Sequence, residues 1–124
     1  MSTNKTNKTN KTNNKEQYEI ILKLYNGLSG NLKLINQKVS KNKEDNSITQ
    51  LAFKTDKIAA ALQLSLDFEN KEAKKLSENL RELYRHIRIA MKLIYENKNF
   101  ELLKSASDVS FTLEDSWTKI RPSI

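Results

Sequence analysis

Apolar residues fall three and four positions apart in four separate stretches of the chain, the spacing of one face of an α-helix. In the first, Tyr18, Ile21, Leu22, Tyr25, Leu28, Leu32, Ile35 and Val39 line up and predict a helix from Glu16 to about Ser40. A polar run from Lys41 to Asn46 ends it. The second stretch carries Ile48, Leu51, Ala52, Thr55, Ile58, Ala59, Leu62 and Leu66 and predicts a helix from Ser47 to Phe68. Ser47 is placed as its N-cap, with Gln50 three residues along as the partner of a capping box. The third runs from Asn70 through Ala73, Leu76 and Leu80, then Leu83, Tyr84, Ile87, Ala90, Met91 and Ile94, to Asn97, where Asn97-Lys98-Asn99 breaks the pattern. The fourth has Leu102, Leu103, Ala106, Val109, Leu113, Trp117 and Ile120 on one face and cannot pass Pro122.

Nothing in the chain alternates with the period of a strand. Four amphipathic helices joined by short polar breaks predict an all-α fold, an antiparallel up-down four-helix bundle over residues 16–124. Gly27 and Gly30 sit inside the first helix, where each costs up to about 1 kcal/mol against alanine, so a close approach by another backbone is expected there.

Some apolar positions lie off these core faces. Phe53, Ala60 and Leu64 align with one another on the second helix, and Ile89 and Leu93 fall outside the core face of the third. The third helix also bears a basic stripe of Arg81, Arg85, Arg88 and Lys92, and so has three faces to account for. Extra apolar stripes on a bundle helix are covered by a terminal segment, by a second copy of the chain, or by a partner helix laid into a groove. The groove reading makes Phe53, Leu64, Ile89 and Leu93 the partner-binding side chains.

Residues 1–15 differ in kind. They repeat Thr-Asn-Lys with no apolar residue after Met1, so they cannot bury enough surface to offset the entropy of ordering, and a disordered N-terminal tail is expected. The formal net charge of +7 suggests nucleic acid until the four lysines of this tail are set aside, which leaves an excess of only three. The basic stripe has no aromatic platform or reader motif beside it, so no nucleic acid is expected as a partner, although a small basic nucleic-acid-associated protein stays an alternative, as does a structural homodimer.

The chain has no cysteine, which excludes disulfides, thiolate metal sites and cysteine catalysis. No run is long enough to cross a bilayer and the N-terminus is polar where a secretory signal is apolar, so a cytoplasmic protein without membrane insertion is expected. His86 is the only histidine and reads as a packing or rim residue. Glu72, Glu78 and Glu82 lie among lysines and arginines as a solvated helix face. With no Glu-x-x-His pair and no Gly-rich phosphate loop, neither an enzyme nor a cofactor is expected.

Four landmarks along residues 20–120 carry a family resemblance: Leu24-Tyr25-Asn26-Gly27, Ser65-Leu66-Asp67, Leu80 with Leu83-Tyr84, and Trp117 near the end of the fourth helix. Their order and separation resemble FliS, the flagellar export chaperone family. The resemblance implies a cytoplasmic four-helix chaperone, monomeric or weakly dimeric, that binds the C-terminal helices of flagellin, prevents premature polymerisation and meets the flagellar export apparatus. It adds Tyr25, Asn26 and Tyr84 to the expected partner-binding residues. The chain departs from the family pattern at Asn26, where the family has aspartate, at His86, where it has a second tyrosine, and at Ile94 and Tyr95, where it has a small residue and asparagine. The Thr-Asn-Lys tail stands where the family has a segment with its own tyrosine and a Ser-Pro helix start.

Overall fold

The computed structural model describes the backbone of residues 3–66 and 71–119, with side chains for 15–66 and 74–119. It holds four helices: α1 (Thr3–Lys41), α2 (Ser47–Leu64), α3 (Lys71–Asn97) and α4 (Leu103–Lys119). No strand occurs among the described residues. Each helix lies beside two others in the cyclic order α1, α2, α3, α4, with α4 returning to α1. The connections of a few residues force each helix to run against its predecessor, giving the antiparallel bundle that the spacing predicts.

The core is built from the predicted faces. Tyr25, Leu28, Leu32 and Ile35 of α1 meet Ile48, Ala52, Ala59 and Leu62 of α2, Tyr84, Ile87, Ala90, Met91 and Ile94 of α3, and Leu103 and Ala106 of α4, all at 5% exposure or less. Burying a large apolar side chain contributes about 1.5–3 kcal/mol, so these rows hold the bundle together. Leu83 departs from its predicted place: although it shares the core-facing row of α3, it is 38% exposed, as is Leu76 further toward the helix start at 59%. Ile120 and Asp67 lie outside the described residues.

The helical backbone of α1 is continuous from Thr3, so it runs through the Thr-Asn-Lys repeat ahead of the helix expected from Glu16. Adding a turn to an existing helix costs far less than nucleating one, but that stretch brings no apolar residue with which to dock, the basis for expecting a tail there. Two other local expectations are corrected. Ser47 is the first residue of α2 and does not cap it; the N-cap position is Asn46, without a side-chain cap, and the Asp45 carboxylate before it accepts from the Ser47 backbone N–H at 2.9 Å and from its hydroxyl at 2.7 Å. These bonds hold the Asp45 carboxyl below its usual range. Neither glycine of α1 marks a close backbone approach. A Cβ on Gly27 would meet only the tip of the Ile58 side chain at 3.4 Å, and one on Gly30 would meet open space.

Polar pairs fix how the helices are set against one another. Between α1 and α4, the Ser29 and Ser110 hydroxyls pair at 2.9 Å, and the Asn36 amide donates to Ser107 Oγ at 2.9 Å. At one end of this seam the Tyr18 and Trp117 rings stack with centroids 5.4 Å apart. The Tyr18 hydroxyl donates to the Trp117 carbonyl while the Trp117 indole donates to the Tyr18 carbonyl, both at 3.3 Å. Helix α1 is thereby clamped at Tyr18 to the end of α4. Helix α3 ends on Lys98 in a left-handed conformation, φ 52°, with the Asn99 N–H reaching back to the Leu93 carbonyl at 3.0 Å.

Candidate partner-binding surface

The groove between α2 and α3 has a polar floor that the apolar pattern did not reveal. Asp56 lies on α2 one position past Thr55 of the core row and is 4% exposed. A carboxylate so placed needs a cation, and Arg88 of α3 supplies one, its Nε donating to Asp56 Oδ1 at 2.7 Å. The same guanidinium donates through Nη1 to Gln63 Oε1 at 2.8 Å, so one arginine ties two turns of α2 to α3. The Tyr95 hydroxyl reaches the other Asp56 oxygen at 3.4 Å. Burial and the neighbouring carboxylate raise the Tyr95 phenol above its usual value, keeping it a donor.

Above this floor the groove is apolar and basic. The Phe53 ring meets Tyr95 edge-on with centroids 5.3 Å apart, and Lys57 Nζ sits 4.7 Å from the Phe53 centroid. Tyr95 divides two open cavities. One, of about 400 Å³, is lined by Thr49, Gln50, Phe53 and Lys54; the other, of about 260 Å³, by Asp56, Gln63, Arg85, Arg88, Ile89 and Lys92.

The seven expected partner-binding residues separate into four places. Phe53, Leu64 and Ile89 belong to the outer faces of α2 and α3, exposed by 45%, 87% and 43%. Leu93 is half-buried and shares its side of α3 with His86, seven residues before it; His86 Nε2 hydrogen-bonds Ser105 Oγ of α4 at 2.5 Å. Leu93 therefore stands nearer the α4 side of α3 than Ile89 does, and unlike Ile89 it lines neither of these two cavities. Tyr25 and Tyr84 are core residues, each 2% exposed, and their hydroxyls meet across the bundle at 2.5 Å, so neither presents a surface to a partner. Burial raises both phenols above their usual range. Asn26 is exposed on α1, which does not border the groove.

The residues missed are Asp56, Gln63 and Tyr95. A carboxylate set beside a core row was a signal available in the sequence, but its pairing with a residue 32 positions away was not. The basic stripe is also less bare than its sequence suggests: Arg88 is held by Asp56, Arg85 lies 3.7 Å from Glu82, and Arg81 has an interaction of its own. No group of three or more metal-ligating side chains and no helix long and apolar enough to cross a membrane occurs among the described residues.

The fold is an all-α four-helix bundle with open cavities between α2 and α3. The family model described as "Flagellar protein FliS" matches residues 1–124, the whole chain. The chain belongs to the FliS family, which is a family of flagellar chaperones. Comparison with curated proteins and with solved structures finds no match.

Proposed function

We propose that this protein is a cytosolic chaperone that captures the C-terminal helical segment of flagellin, keeps it from polymerising early and delivers it to the type III export apparatus. The observation that carries the proposal is the pair of exposed apolar side chains Phe53 and Ile89 lining the α2–α3 groove, with Leu64 exposed on α2, in a chain of this family. Such side chains gain about 25 cal/mol for each Å² that a partner removes from water, and an amphipathic helix brings its own stripe to the same burial. The client's cost is the ordering of a flexible segment.

The pair Leu64→Asp and Ile89→Asp tests this directly. Both side chains are exposed, so the double variant keeps its helical far-UV CD signal and melting transition while losing co-purification of flagellin. Undiminished capture of flagellin refutes the assignment of the groove.

A further inference from the structure

We propose that the α2–α3 groove selects its client by charge: it takes an amphipathic helix whose apolar stripe is flanked by carboxylates. This rests on the chaperone reading and specifies which helix fits. The floor carboxylate, Asp56, is already used by Arg88 at 2.7 Å and offers nothing to an incoming cation. The other charged side chains that line the two cavities, Lys54, Arg85, Arg88 and Lys92, are positive, while the carboxylates of Glu82 and Glu96 stand beside them on α3 outside the lining. Lys92 has no ion-pair partner among the described residues, and Arg85 has only the exposed Glu82 at 3.7 Å. Lys57 lies on the Phe53 ring and Lys54 lines the neighbouring cavity.

The spacing of these groups matches a helix. Arg85, Ile89 and Lys92 occur at i, i+4 and i+7 on α3, so two cations stand about 10 Å apart with an apolar side chain between them. A partner helix laid alongside has the same repeat. One of its apolar residues covers Ile89 while carboxylates a turn to either side meet Arg85 and Lys92, with apolar contact supplying burial and charge supplying register.

Two other occupants fit poorly. The N-terminal repeat carries four lysines, no acid and no apolar residue after Met1, so this segment brings repulsion and nothing to bury. A second copy docked groove to groove would oppose the same cations across a two-fold axis, which is unfavourable in a partly desolvated interface.

The test uses the full chain and two labelled synthetic helices with one Leu/Ile stripe, flanked by glutamates in one and by lysines in the other. Fluorescence anisotropy should show the Glu-flanked helix binding about tenfold tighter or better, with the advantage shrinking as salt rises. The double variant Arg85→Glu/Lys92→Glu, checked by CD for an unchanged fold, should invert the preference. Equal affinity of the two peptides, or a variant that loses affinity for both without inversion, overturns the proposal. So does displacement of the Glu-flanked peptide by an oligouridine that binds more tightly, which would make the groove a nucleic-acid site.

Capture of full-length flagellin in the same buffer separates the two levels. Flagellin bound equally by parent and charge-reversed protein refutes charge selection and leaves the chaperone reading standing. A parent that binds the Glu-flanked peptide, inverts on charge reversal and ignores flagellin upholds charge selection and refutes the client.

Discussion

The Tyr25–Tyr84 pair offers the sharpest check on the division between core and partner surface. Both phenols are 2% exposed and their hydroxyls are 2.5 Å apart, so each is the other's hydrogen-bond partner in a place water does not reach. Tyr84→Phe strands the Tyr25 hydroxyl, and Tyr25→Phe strands that of Tyr84. An unsatisfied buried hydroxyl costs about 1–3 kcal/mol, so each single variant should lose that much stability. For a domain of this size each kcal/mol lowers the melting temperature by about 4 °C. Removing both hydroxyls removes the stranded group as well, and the double variant should lie within about 1 kcal/mol of the parent. The cycle, measured by urea unfolding followed by far-UV CD, therefore predicts a coupling of at least about 1 kcal/mol between the two sites. Costs that simply add refute the buried pair. A single Phe variant with unchanged stability but lost flagellin capture would instead return that tyrosine to the partner surface.

The same pair sets a pH response. Burial raises both phenols above the ordinary value of 10.0, so the unfolded chain releases these protons first as pH climbs. Their contribution to stability is fully present below about pH 10 and is lost as pH rises toward the folded-state values. Urea midpoints of the parent should therefore fall relative to those of Tyr25→Phe/Tyr84→Phe between about pH 8 and pH 11, and a constant difference speaks against burial. Gly30 is helical, exposed and open where a Cβ would stand, so Gly30→Ala should stabilise by about 0.5–1 kcal/mol in thermal unfolding; a destabilised variant would show that something approaches α1 there.

Hydrophobic spacing alone determined the four helices, their antiparallel order and most of the core, because each helix has to bury one stripe and short connections leave few ways to do it. Ile48, Ala52, Ala59 and Leu62 were legible in this way, as were Tyr84, Ile87 and Ile94. The landmark residues also pointed to the family that the whole-chain match establishes. What spacing cannot assign is the direction of a side chain that stands beside the core row. Leu83 shares the core-facing row and is exposed, while Asp56, beside its own, is buried. Ile89 and Leu93 are one turn apart, yet Ile89 is exposed and lines the cavity against α2 while Leu93 is half-buried and does not line it, since their surroundings depend on which helix packs against each flank of α3. The pairing of Asp56 with Arg88 and of Tyr25 with Tyr84 joins residues 32 and 59 positions apart. Periodicity is a property of one helix at a time. Partners across a groove exist only once two helices have been set side by side, and that is where the tertiary structure decided which residues hold the bundle and which remain open to a client.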